Sequence, residues 1–188
     1  MHRVLVAIAV LGVALPVAAA DIRDIAIDRD GKRYQMRSEV YFDVDRVSLY
    51  EVFRNWDLSP AFSSWIVEAR NLEPDDTGRP GFFIRNHGCV LFVCKTLVRE
   101  GYVDDDPHEM IRATANAERS DFEISDESWH FETEGSGTVV VYTLDMAPKF
   151  WVPPVIGPWI LKRKLKNDGT DALDRIEKIA QERAVSVD

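Results

Sequence analysis

From Trp65 to Met146 the apolar residues repeat with a period of two, and near the C-terminus they return to a helical period. Turn chemistry cuts the first region into short pieces: Asp75-Asp76-Thr77-Gly78-Arg79-Pro80, Asn86-His87-Gly88, Asp104-Asp105-Asp106-Pro107 and Glu134-Gly135-Ser136-Gly137. Gly81 to Arg85, Lys95 to Val103, Met110 to Ala115 and Thr138 to Met146 carry the residues that strands prefer. In the tail, Leu161, Leu165, Ala172, Ile176, Ile179 and Ala180 fall on one helical stripe, with Asp174, Glu177 and Lys178 among the residues opposite. This is one long helix, which Gly169 weakens and can kink, unless Thr170 caps a second segment. A sheet with one apolar face and a helix with one apolar stripe must bury those surfaces against each other, so the class is α+β with an antiparallel sheet.

Ahead of the meander, Arg33 to Asp43 alternates as a half-buried strand, with Tyr34, Met36, Val40 and Phe42 on one side. Asp45 can cap a helix bearing Leu49, Val52, Phe53 and Trp56, and Leu58-Ser59-Pro60 offers a second cap. The apolar parity switches between the pair Phe122 and Ile124 and the pair Trp129 and Phe131, which predicts a bulge near Asp126 to Ser128.

The first twenty residues read as an export signal. Met1-His2-Arg3 is a short positive start, Val4 to Leu15 is apolar, Pro16 ends the run, and Ala18-Ala19-Ala20 offers a cleavage site before Asp21. A membrane anchor would need ~20 apolar residues. Residues 1–20 are therefore expected to be a cleaved leader, 21–188 to form one domain, and the mature protein to be periplasmic or secreted. The chain carries a net charge of −9, with 23 basic residues against 32 acidic ones, and loss of Arg3 with the leader makes it more acidic still. That balance repels polyanions, so no nucleic-acid partner is expected.

Cys89 and Cys94 enclose Val90, Leu91, Phe92 and Val93. In a continuous strand the two cysteines would point to opposite faces, whereas a hairpin through the four apolar residues would set them opposite each other at disulfide distance. An oxidising compartment favours the bridge. The apolar tip reads either as buried strand or as a lip that makes transient membrane contact.

Catalytic chemistry leaves little trace. The histidines after the leader, His87, His108 and His130, have no metal-ligand spacing, and His130 alternates with Trp129 and Phe131 toward the opposite face. No nucleophile motif or phosphate-cradling glycine loop is present, and Asp104 to Asp106 lacks the alternation of a calcium loop. No catalytic residue, metal or cofactor is expected. Arg85, Asn86, Arg112 and Tyr142 are the polar residues that could act inside an apolar pocket.

The order of elements, the stretch Val47 to Phe62, the Trp129-x-Phe131 strand, the Gly137 to Tyr142 strand and the prolines leading into the last helix resemble the START and polyketide cyclase/dehydrase-like superfamily, including its coenzyme Q-binding members. The resemblance implies a helix-grip fold: a seven-stranded curved antiparallel sheet wrapped around a long C-terminal helix, with two short helices after strand one. It also implies an apolar cavity between sheet and helix. The expected function is a binding or carrier protein for a lipid, sterol or quinone-like molecule, with a cyclase or dehydratase acting on a hydrophobic substrate as the alternative. The expected cavity residues are Phe53, Trp56, Phe62, Phe83, Trp129, Phe131, Tyr142, Leu144, Leu161 and Leu165.

Overall fold

The computed structural model describes residues 20–90, 93–153 and 158–185. The expected leader up to Ala19, the tip residues Leu91 and Phe92, and the side chains of Val90, Val93 and Leu165 lie outside the described residues. Eight strands form one antiparallel sheet: β1 Asp21–Asp30, β2 Arg33–Phe42, β3 Ile66–Leu72, β4 Gly81–Val90, β5 Val93–Asp106, β6 Met110–Ala115, β7 Phe122–Glu134 and β8 Gly137–Pro148. Their spatial order is β1-β2-β8-β7-β6-β5-β4-β3. Between β2 and β3 lie α1 Arg46–Arg54, a 3-10 turn Trp56–Leu58 and α2 Ser59–Phe62, and the chain ends in α3 Pro158–Ala184.

The extra strand is β1, so the sheet has eight strands and not seven. It joins β2 through a two-residue loop in which Gly31 takes a φ of +57°, the conformation a tight hairpin of this kind requires at its first position. Its apolar alternation is hard to see because the register shifts between Ile22 and Asp24.

The bulge in β7 also lies elsewhere than the pattern indicates. The register shifts between Phe122 and Ile124, while pairing with β8 runs unbroken from Ser125 to Glu134. Phe122 is buried, Ile124 is turned out, and the inward positions that follow are Ser125, Glu127, Trp129 and Phe131. The parity does switch, but at the bulge before Ile124, and the two polar residues Ser125 and Glu127 on the inner face hide where it happens. Asn86-His87-Gly88 is likewise no turn but the middle of β4. Gly88 serves close packing: a Cβ there would sit 2.8 Å from the Trp65 ring.

Asp45 caps α1 by accepting from the Ser48 N–H at 2.9 Å. Ser59 does not act as a cap, because it is already the first residue of α2 and Asn55 caps the turn before it. Asp104 to Asp106 end β5 where the sequence places a turn, and the Tyr50 hydroxyl donates to Asp105 at 2.5 Å, which ties α1 to that strand. The core lies between α1, α3 and the inner face of the sheet, around Phe42, Leu49, Val52, Phe82, Val103 and Ile111. α3 runs through Gly169 without interruption. Ala172, Ile176 and Ala180 face inward as the stripe predicts, but Glu177 is also buried, at 3 % exposure, where the pattern places it outside.

Candidate ligand cavity

A cavity of about 440 Å³ lies between the inner face of the sheet and the second half of α3. The sequence makes this space with small side chains on the helix. Gly169 and Ala172 face it beside Leu173 and Ile176, and no atom comes within 4 Å of where a Cβ on Gly169 would stand. The strands opposite supply Ile22 and Ile25 from β1, Met36, Ser38 and Val40 from β2, Ile84 and Asn86 from β4, and Val140 from β8. The wall is completed by Phe53, Trp56 and Phe62 from the helices and by Trp65 and Ile66.

Of the residues expected from sequence, Phe53, Trp56, Phe62, Trp129 and Tyr142 line this cavity together. Trp129 is the hub of the group, with ring centroids 5.2 Å from Tyr142, 5.9 Å from Trp56 and 6.3 Å from Phe53. Phe131 stands behind it, 2 % exposed, and packs edge-on to Phe53 and Tyr50 as core. Phe83 faces the other side of the sheet, where the guanidinium of Arg70 covers its ring at 4.0 Å. Its neighbour Phe82 points inward and stacks on Trp56 at 4.8 Å. Leu144 and Leu161 are half-buried away from the lining.

One polar cluster interrupts the apolar wall. Glu127 on β7 projects inward with a side-chain exposure of 8 %, pairs with the Arg99 guanidinium through one carboxylate oxygen, and accepts from the Tyr142 hydroxyl through the other at 2.8 Å. The strand between β5 and β7 presents Ala113 and Ala115 along its inward register, which leaves Arg99 room to reach across. Burial pushes the Tyr142 phenol up to about 12 and the Arg99 guanidinium below its ordinary value. At neutral pH Tyr142 therefore holds its proton and donates it, while Arg99 stays a cation with five N–H donors, only some of which Glu127 can take. Arg99 and Tyr142 both line the cavity, so a guest bearing an acceptor oxygen meets two donors.

Arg99 and Glu127 are absent from the sequence expectation. The available signal was parity: Glu127 alternates inward with Trp129 and Phe131, and Arg99 with Val103. Of the four polar candidates, Tyr142 and Asn86 reach the cavity. Arg85 pairs with Glu68 and Arg112 with Asp126, both with exposed side chains. The histidines do not line it: His87 bonds Thr96, His108 packs on Tyr50, and His130 is exposed. Among the described residues no group of three His, Cys, Asp or Glu side chains could hold a metal ion, and no helix is long and apolar enough to cross a membrane. Cys89 and Cys94 face each other in register across β4 and β5 and form a disulfide.

No protein-family model matches the chain, and no curated protein matches it by sequence. Solved structures do. TTHA0849 from Thermus thermophilus superposes with a TM-score of 0.61 at 15 % identity, covering 79 % of this chain and 98 % of that one. A START superfamily protein from Mycobacterium smegmatis gives 0.60 at 16 % identity, over 77 % and 98 % of the two chains. The chain has the START-type fold. The same fold is carried by the Zhui aromatase/cyclase of a Streptomyces species, with a TM-score of 0.59, 15 % identity and coverage of 81 % and 96 %. Here the cavity and its polar cluster lie between the sheet and α3.

Proposed function

We propose that this protein is an exported binding or carrier protein for a hydrophobic small molecule, a lipid, sterol or quinone-like compound, held between the sheet and α3. One observation carries the reading: a roughly 440 Å³ cavity whose wall is mostly apolar, with Arg99, Glu127 and Tyr142 gathered at one place in it. That volume falls within the ~300–1,000 Å³ of small-molecule sites. Burial supplies the affinity, at ~25 cal/mol for each Å² of apolar surface removed from water, and the polar cluster sets the orientation of a guest that has one oxygen-bearing end. The disulfide and the apolar N-terminal run fit an oxidising compartment outside the cytoplasm. Transient membrane contact through Val90, Leu91, Phe92 and Val93 belongs to the same proposal, and Leu91→Asp with Phe92→Asp should then reduce partitioning onto liposomes without loss of fold. The decisive experiment is native mass spectrometry with lipid extraction of the purified protein. A co-purifying apolar compound supports the carrier, and failure to bind any of a panel of fluorescent lipids, sterols and quinones ends it.

The polar cluster favours one second reading, a cyclase or dehydratase acting on a hydrophobic substrate. There Tyr142 and Arg99 would polarise a carbonyl, with Glu127 holding both in place. Chemical conversion of a bound carbonyl compound, lost in Tyr142→Phe while binding persists, selects this reading over the carrier.

A further inference from the structure

The charges inside the cavity decide what kind of guest it can take. Among the described residues of its wall, Arg99 is the only cation and Glu127 the only anion, and the two pair with each other. Their side chains are 17 % and 8 % exposed, so little water reaches either charge. The second Glu127 oxygen accepts from Tyr142 at 2.8 Å, so both of its oxygens are engaged. The rest of the wall is apolar or carries uncharged groups such as Ser38, Ser59 and Asn86. The site is therefore neutral before any guest arrives.

A charged guest upsets that balance in either direction. A carboxylate, phosphate or sulfate end would have to share Arg99 with Glu127, which sets two anions against one cation where solvent cannot compensate. An ammonium end would bring a second cation to Glu127 beside Arg99. An uncharged oxygen leaves the pair intact. A carbonyl, ester or hydroxyl oxygen accepts from the Arg99 N–H groups that Glu127 does not take, and a hydrogen bond from a guanidinium is stronger than one from a neutral donor.

Resting on the carrier reading above, we infer that the guest is an uncharged molecule with an acceptor oxygen at its polar end, a ketone, quinone, ester or alcohol, and that the Arg99–Glu127 pair excludes fatty acids, lipid phosphates and amines. The pair works as a filter: Arg99 supplies the donor, and Glu127 cancels the charge that would otherwise draw anions. An arginine alone in the same wall would select acids. A fatty acid can enter only after taking up a proton, and with a carboxyl near 4.3 roughly one molecule in 500 is neutral at pH 7, which sets the scale of the discrimination.

The test compares ligands that share a skeleton and differ in their end group. Methyl dodecanoate, dodecanoic acid and dodecylamine form one set and cholesterol and cholesterol sulfate a second, each displacing N-phenyl-1-naphthylamine from the purified protein at pH 7. In a set that binds, the neutral member should bind roughly 100-fold more tightly than its charged partners. A ratio below about ten, or tighter binding of an acid, sulfate or amine, overturns the inference and leaves the carrier reading standing. Failure of every ligand and of the probe itself ends the carrier reading instead. Glu127→Gln should then shift the preference toward dodecanoic acid by at least ~10-fold, because Arg99 is left without its anion. An unchanged ratio in the folded variant overturns the filter. Arg99→Gln asks the same question with the opposite sign, the gain going to dodecylamine, and serves where the first variant does not fold.

Discussion

Glu127 is a carboxylate inside an apolar wall, and its two partners are what allow it to be there. Arg99→Met removes the counter-charge and leaves an unpaired buried acid, which should cost roughly 3–5 kcal/mol in urea unfolding. Replacing both partners, Arg99→Met with Glu127→Met, should recover most of that loss, since two apolar side chains need no compensation. Such recovery with fold intact but orientation of bound ligand lost would mark the pair as kept for recognition. Tyr142 gives a pH signature. Its phenol is held near 12 in the fold against about 10 when unfolded, so the native state binds more protons in that interval. Stability is then full below pH 10 and falls as pH rises toward 12, by roughly 2–3 kcal/mol. Tyr142→Phe should flatten that part of the alkaline limb in pH-dependent unfolding. At this scale the sequence is legible only where a residue obeys the apolar-inside rule. Phe82 and Phe83 are adjacent aromatics, and the choice between them depends on Arg70, a residue of another strand that covers Phe83. Glu127 breaks the rule outright, because a charge can sit inside once a distant strand brings a guanidinium to it.

Elements were more legible than residues because each announces itself by its own period. The helices, the long tail and the Cys89–Cys94 hairpin stand where the pattern places them, whereas β1 is hidden because its bulge puts Ile22 out of step with Ile25 and Ile27 and the rest of the strand is mostly charged. Gly169 shows what the period leaves out. In a helix it costs about 1 kcal/mol relative to alanine, and the space beside it is open. Gly169→Ala should raise stability by about that amount in thermal melts, and the added methyl, pointing into the cavity, should weaken binding of the bulkiest ligands first. The hairpin offers a contrasting case. Its disulfide closes a loop of only a few residues, so Cys89→Ser with Cys94→Ser should lower stability by ~2 kcal/mol on the chain-entropy model and leave ligand affinity unchanged, as measured by urea unfolding and ligand titration.

For the molecule as a whole, the order of elements carried the fold, and the void did not follow from it. A cavity is a difference between the space that backbones enclose and the volume that side chains fill, so it depends on Gly169 and Ala172 being small where larger strand residues stand opposite. No local pattern reports such a sum. The strand order has a further consequence. Every neighbouring pair from β3 to β8 is joined by a short connection, but β2 pairs with β8, matching Tyr34 to Met146 across more than half the chain. Loop closure of that length is slow, and the gain from it arrives only once β8 exists. The N-terminal hairpin and α1 must wait as spectators while the later hairpins zip in turn. Substitutions along the β2–β8 seam should then change how fast the protein folds far more than substitutions at the β3 edge.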